Sequence, residues 1–218
     1  ASWSKGEQGH NVNSSLNKIC RFQSSPILRR VLGQQKSRIN FAQAINDGKI
    51  LIFNFDKWKM GSVNANTLAS LVLSRLIYEG THRLIPHEQG EPVLELVKPF
   101  HIYIDEFHSV TSLSMVEALS GIRKFRVGFT LAHQYTNQLS PEMFDAIKGN
   151  VGTKIVFRVG GDDAERLHAN IDVSEPKHLT DLADFEFFAA MKSATSVSTE
   201  QGFTLPPEVT RYGHAPAI

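Results

Sequence analysis

The sequence predicts an α/β fold in which helices flank a mainly parallel β-sheet, with a β-hairpin near the C-terminus. Short apolar runs bounded by turn residues alternate with segments whose apolar residues recur at helical spacing. This alternation is typical of βαβ units, whose strands pair in parallel. Residues 186–191 and 202–205 are two further strand-like runs, close enough in the chain to pair as a hairpin. With 218 residues, 41% of them hydrophobic, the chain can bury one sizeable core.

The predicted elements follow one another from residue 41. Residues 41–45 are expected to form a helix that Asp47 and Gly48 end. The continuous apolar run at residues 49–55 is typical of a buried parallel strand. Further strands are predicted at residues 100–104, 127–132 and 154–159. Further helices are predicted at residues 64–78, 113–125, 141–147 and 162–170.

Composition excludes several classes of protein. Charged residues make up 21% of the chain and the formal net charge is +1. The chain is therefore neither fibrous nor globally disordered, and a dedicated nucleic-acid-binding domain would be more basic. Cys20 is the only cysteine and cannot form an internal disulfide. No apolar run approaches the roughly 18 residues of a membrane-spanning helix. The single cysteine fits a reducing, cytoplasmic setting. The chain lacks an initiating Met, so we expect a piece of a longer protein, although a processed N-terminus would look the same.

One part of the chain is nonetheless basic, because residues 8–46 contain neither Asp nor Glu. The cations of this segment are Lys18, Arg21, Arg29, Arg30, Lys36 and Arg38. Such a segment is either a solvated helical face or a contact to nucleic acid or another acidic partner. Arg29 and Arg30 are the candidate nucleic-acid-binding residues.

Two carboxylates, Asp105 and Glu106, directly follow the predicted strand at residues 100–104. Ligands of parallel α/β sheets collect at the carboxyl ends of the strands. A nucleotide-hydrolysing site needs one carboxylate near Mg²⁺ and a second that orients or deprotonates the attacking water. Asp105 is the candidate for the first role and Glu106 for the second. The alternative is that the pair only caps the following helix.

Two further side chains fit a site of this kind. Arg123 closes the predicted helix after the carboxylates, where it could bind phosphate oxygens or simply compensate the helix dipole. Gln134 follows the strand predicted at residues 127–132. Its amide could sense a γ-phosphate, or it could be an ordinary polar residue leaving a strand.

The order and spacing of these features resemble the HerA/FtsK-type P-loop ATPases. They are most similar to the TraG/TraD-like coupling ATPases of conjugative DNA transfer and type IV secretion. The resemblance covers roughly residues 20–208 and includes the runs at residues 45–52 and 149–164. It implies a RecA-like sheet. The expected organisation is a loose N-terminal arm at residues 1–18, the C-terminal part of a RecA-like ATPase domain at residues 19–210, and a tail at residues 211–218.

The resemblance also implies roles for the candidate residues. Asp105 and Glu106 would be the Walker B pair, Arg123 an arginine finger offered to a neighbouring subunit, and Gln134 the sensor glutamine. Arg158 is a second candidate for a trans-acting arginine. The implied cofactors are ATP and Mg²⁺, with Asp105 holding Mg²⁺ through a water. The implied partners are DNA, further copies of the chain in a ring expected to be hexameric, and components of a secretion system. Segments outside this chain would supply any membrane association.

The sequence departs from that family in one respect. It contains no G-x-x-x-x-G-K-[ST] motif, the loop whose backbone N–H groups and Lys bind nucleotide phosphates. We therefore expect the chain alone to be inactive and the full-length protein to be the ATPase. The alternatives are a HerA-like ATPase of a defence or protein-secretion system and a non-hydrolysing RecA-like assembly module.

No metal besides Mg²⁺ is expected, because His101, His108 and His133 lack ligand spacing.

Overall fold

The computed structural model describes residues 24–83, 97–111, 113–193 and 195–205. The chain divides into two compact units, Ala1–His133 and Gln134–Ile218. The predicted arm and tail lie outside the described residues, as do Lys18, Cys20 and Arg21. The domain bounds at residues 19 and 210 remain a prediction. No helix among the described residues is long and apolar enough to cross a membrane.

The described part of the first unit begins with helices. These are α1 (Pro26–Leu32), α2 (Phe41–Asn46), α3 (Lys57–Met60) and α4 (Ser62–Thr81). Asn40 caps α2 by accepting the Gln43 backbone N–H at 3.0 Å, and Gly48 beyond its C-terminus has a φ of 70°. The predicted helices at residues 41–45 and 64–78 are thus confirmed, the second with extra residues at both ends.

A pair of parallel strands comes next in the chain. β1 (Phe100–Ile104) pairs with β2 (Val127–Leu131), and the pairing runs in register from Phe100 opposite Val127 to Ile104 opposite Leu131. The crossover between them consists of the 3-10 helix Phe107–Val110, α5 (Leu113–Gly121) and the 3-10 helix Ile122–Phe125. This arrangement confirms the predicted strand–helix–strand unit and aligns the carboxyl ends of the two strands.

Residues 49–55 do not form the predicted strand. The segment alternates between exposed and half-buried residues, with Ile50 and Ile52 90% and 89% exposed. Its inward side is an aromatic stack in which the ring centroid of Phe53 lies 6.1 Å from that of Phe41 and 6.2 Å from that of Phe55. The apolar run predicted burial on both faces, but only one face packs and no described strand pairs with its backbone.

The second unit is built on an antiparallel sheet. Its elements are α6 (Pro141–Asn150), β3 (Thr153–Phe157), α7 (Gly161–Leu167), α8 (Lys177–Thr180), β4 (Glu186–Lys192) and β5 (Val197–Phe203). The strand order is β3-β4-β5, with both pairings antiparallel. The predicted C-terminal hairpin is confirmed, although its second strand begins at Val197. β3 was expected to extend the parallel sheet and instead pairs antiparallel with β4.

Candidate active site

The carboxylate pair lies where β1 ends, beside the end of β2. The backbone N–H of Ala132 donates to the carbonyl of Ile104 at 2.9 Å. The backbone N–H of Phe107 in turn donates to the carbonyl of Ala132 at 3.0 Å. These two bonds extend the strand pairing past the strand ends. They hold Asp105 and Glu106 next to the chain that leaves β2, as the sequence predicted.

Glu106 adopts a left-handed backbone conformation, with φ 50° and ψ 43°. This region is uncommon for any residue other than Gly, and a residue held there costs about 1–3 kcal/mol. Residues just after Glu106 hold the turn. Phe107 is fully buried, and both the backbone N–H and the hydroxyl of Ser109 donate to the Glu106 carbonyl, at 3.0 and 2.9 Å. The turn ends the extended conformation of β1 directly after Asp105.

Both carboxylates are held by near neighbours. One oxygen of the exposed Asp105 carboxylate accepts the Glu106 backbone N–H at 2.9 Å. Oε2 of Glu106 lies 3.2 Å from Nδ1 of His108, and both of these side chains are mostly buried. The sequence predicts no role for His108 in this site. Its spacing of two residues from Glu106 is the one signal that could have paired them.

The donor set suits Mg²⁺ shared with a nucleotide. Mg²⁺ is usually bound by one or two carboxylates, substrate phosphates and several waters, and Asp105 and Glu106 supply such carboxylates. No group of three or more His, Cys, Asp or Glu side chains in the described part of the chain could hold a metal alone. His133 packs its ring against Phe107, with centroids 4.9 Å apart, and His101 lies over Gly128.

Arg123 is not brought to the carboxylates of its own chain. Its 3-10 helix precedes β2, so its backbone lies at the amino end of the strand pair. Five residue steps separate Phe100 at this end from Asp105, a distance of about 17 Å at 3.3 Å per residue. The Arg123 side chain is exposed and forms no hydrogen bond or ion pair with the described residues.

A buried arginine that the sequence did not indicate fixes the same end of the sheet. Arg83 is 6% exposed. Its guanidinium donates to the carbonyls of Lys98 at 2.8 Å, Phe125 at 3.0 Å and Gly80 at 3.2 Å. Burial, followed by the nearby charge of Arg126, lowers the pKa of Arg83. Arg83 therefore joins the end of α4, the start of β1 and the helix that carries Arg123.

The other candidate residues of the nucleotide site belong to the second unit. Gln134 begins that unit, is exposed, and precedes the 3-10 helix Thr136–Gln138 by two residues. Arg158 follows β3 and forms an ion pair with Asp184 at 2.7 Å. Because its guanidinium already serves a contact within the unit, Arg158 is a weaker candidate for a trans-acting arginine than Arg123.

The basic segment forms a cationic cavity in the first unit. The cavity has a volume of about 590 Å³ and lies around the end of α1. Its cationic lining residues are Arg29, Arg30, Lys36 and Arg38. None of these four side chains forms an ion pair with a carboxylate within the described residues.

Comparison with solved structures identifies proteins with a similar fold. No protein-family model and no curated protein matches the sequence. The bacterial conjugative coupling protein TrwBdeltaN70 matches with 13% identity and a TM-score of 0.55, over 75% of this chain and 43% of that chain. TrwB in complex with the GTP analogue GDPNP matches with 14% identity and a TM-score of 0.54, over the same shares of the two chains.

A third structure is more distant. The genome packaging NTPase B204 from Sulfolobus turreted icosahedral virus 2, in complex with ATP-gammaS, has 10% identity and a TM-score of 0.49. The match covers 75% of this chain and 72% of that one. At these identities a structural likeness shows the fold alone, and the chain spans less than half the length of TrwB. The chain therefore shares the RecA-like α/β fold of the TrwB structures, the fold that its motifs implied.

Proposed function

We propose that this chain is part of the ATPase core of a DNA-translocating motor that serves conjugative DNA transfer or type IV secretion. The observation that carries the proposal is the position of Asp105 and Glu106 at the carboxyl edge of the parallel strands. The likeness to TrwB supports it, since that protein is a conjugative coupling protein that binds a GTP analogue. The chain lacks a phosphate-binding loop motif, so the nucleotide phosphates require a loop from elsewhere in the protein.

In this proposal the two carboxylates have different roles in hydrolysis. Asp105 would hold Mg²⁺ through a water, and the hydrogen bond that it accepts from the Glu106 N–H orients its carboxylate. Glu106 orients or deprotonates the attacking water. Nδ1 of His108 lies 3.2 Å from Oε2 of Glu106 and would limit the positions that this carboxylate can take. Mg²⁺ and ATP, when bound, supply the transferable phosphoryl group and neutralise its developing charge.

The remaining roles concern neighbouring subunits, phosphate sensing and DNA. Arg123 is exposed and lies at the end of the strand pair away from its own carboxylates, which suits an arginine finger for the next subunit of a ring. Gln134 would sense the γ-phosphate. The cationic cavity with Arg29 and Arg30 would contact DNA phosphates.

Glu106→Gln tests the chemical role in a form of the protein that contains a phosphate-binding loop. The amide keeps the shape of the side chain but removes the base. Turnover should fall by roughly two to four powers of ten while nucleotide binding persists. Glu117→Gln is the matched control, since Glu117 is an exposed carboxylate on α5. Unchanged turnover in Glu106→Gln would remove the proposed base. Turnover absent from the parent would favour a non-hydrolysing assembly module.

Arg123→Ala tests the trans role by mixing subunits. Uniform Arg123→Ala rings should be inactive. Mixed rings of Arg123→Ala subunits and subunits with a disabled phosphate loop should regain activity, because each supplies what the other lacks at a shared interface. Lys124→Ala is the neighbouring control and should leave turnover intact. If mixed rings form but stay inactive, and Arg123→Ala binds nucleotide poorly, Arg123 acts within its own subunit or only structurally.

A further inference from the structure

The turn that follows Gln134 is fastened to α7 by a buried carboxylate. Asp163 and Thr136 are 7% and 2% exposed. Oδ1 of Asp163 accepts the Thr136 backbone N–H at 3.0 Å and also the Thr136 hydroxyl. One charged oxygen therefore fixes both the backbone and the side chain of Thr136. The hydrogen of that hydroxyl is committed to Asp163, which leaves the oxygen of Thr136 free to accept a second bond.

Arg166 supplies that second bond. It lies one helical turn after Asp163, and its Nη1 donates to Oγ1 of Thr136 at 3.0 Å and to Oδ1 of Asn137 at 2.5 Å. Its guanidinium carbon stands 4.9 Å from the ring centroid of Phe144 on α6. A cation, a hydroxyl and a carboxylate thus form a continuous donor-to-acceptor chain, in which each hydrogen bond strengthens the next. We call Asp163, Arg166 and Thr136 the turn clamp.

The clamp is anchored in the core of the second unit. Ala164, the residue after Asp163, is fully buried and packs in a cluster with Ile171, Leu179 and Val156 of β3. α7 cannot shift without disturbing this close-packed core. The turn at residues 136–138 therefore moves together with α7 and the core beneath it. Gln134 is two residues from the fixed point.

We propose that Asp163 and Arg166 are positioning residues. They hold the turn at residues 136–138 and thereby link Gln134 to the packed core of the second unit. The proposal rests on the proposed role of Gln134 as the γ-phosphate sensor. The clamp limits the freedom of the chain before Thr136, and so restricts where the backbone of Gln134 lies before nucleotide arrives. A displacement of Gln134 is passed through Thr136 to α7.

The first experiment measures the clamp in this chain, without nucleotide, by amide hydrogen exchange over residues 134–139. Asp163→Ala and Thr136→Val should each speed exchange in this stretch at least tenfold. Thr136→Ser keeps the hydroxyl and should exchange like the parent. Asp162→Asn is the matched control, because Asp162 is the exposed acid in the same first turn of α7. Parent-like exchange in both Asp163→Ala and Thr136→Val overturns the proposal, whatever the ATPase activity.

The second experiment separates positioning from general structural support. In a form of the protein that hydrolyses ATP, Asp163→Ala should lower kcat without raising the KM for ATP. In a Gln134→Ala background, Asp163→Ala should cause no further loss, since its effect acts through Gln134. Equal losses in both backgrounds overturn the proposal. If the parent does not hydrolyse ATP, the proposed function fails and the sensor role fails with it, while the exchange data still decide whether the clamp exists.

Discussion

Arg83→Met should destabilise the first unit, by an amount that can be worked out from the contacts of Arg83. The buried guanidinium makes three hydrogen bonds of 3.2 Å or shorter to backbone carbonyls. Hydrogen bonds to a charged group each contribute about 1.5–3 kcal/mol. The desolvation of a buried cation offsets part of this sum. Because Met retains most of the packing of the Arg stem, we expect a net loss of about 3–5 kcal/mol.

The loss can be measured by urea denaturation followed by circular dichroism, with amide exchange of β1 and β2 reporting on the first unit itself. Arg75→Met is the control, because Arg75 lies exposed on α4, the helix that ends just before Arg83, in an ion pair with Glu79. The Arg75 side chain is 58% exposed and makes one ion pair, so its loss should cost about 1 kcal/mol, less than the loss of the three buried contacts of Arg83. A loss below about 1 kcal/mol for Arg83→Met, or one equal to that of Arg75→Met, would show that the carbonyl contacts of Arg83 do not hold the sheet end together.

Three further predictions concern ligands and pH. Any DNA binding by the chain should be weak, independent of sequence and steeply salt-sensitive. Charge reversal of Arg29 and Arg30 should reduce it. Binding that survives both high salt and this charge reversal contradicts the phosphate contact. The chain alone should show no ATPase activity and no ATP-dependent thermal shift, and micromolar binding by calorimetry would reveal an unrecognised phosphate site. The Glu142 carboxylate accepts hydrogen bonds from the Glu142 backbone N–H and from Ser140, and these bonds lower its pKa. The ionised carboxylate therefore contributes stability at neutral pH, and this contribution is lost as the pH falls through the lowered pKa. Glu142→Gln should therefore be less stable than the parent at neutral pH and equal to it in acid, whereas a constant difference across a pH series of denaturation curves rules this out.

The candidate catalytic pair could be found from the sequence because its signal is local. An apolar run followed at once by Asp105 and Glu106 specifies a strand and the chemistry at its end. The alternation of strands and helices then places the end of a neighbouring strand beside it. The same local patterns identified α4, the crossover from β1 to β2 and the C-terminal hairpin. Each of these depends on the spacing of residues close together in the chain.

Strand pairing could not be found in this way. The runs at residues 49–55 and 154–159 both look like buried parallel strands. One stays unpaired among the described residues, and the other pairs antiparallel with β4. An apolar run indicates that a segment packs against another part of the protein. It does not record which backbone lies opposite, because the partner is distant in sequence and the pairing depends on the whole sheet.

The residues that support the site could not be identified from the sequence either, since their partners are far away in the chain. Arg83 donates to carbonyls up to 43 residues away, and Asp163 accepts bonds from a residue 27 positions earlier. In the sequence, Arg83 is a polar residue before a loop and Asp163 is one acid of a helix start. The sequence by itself determined the alternating elements, the carboxylate pair and the missing phosphate-binding loop motif. Only the tertiary structure decided which strands pair and which buried polar groups hold the turns, because a buried charge is stable only where folding brings its partners to it.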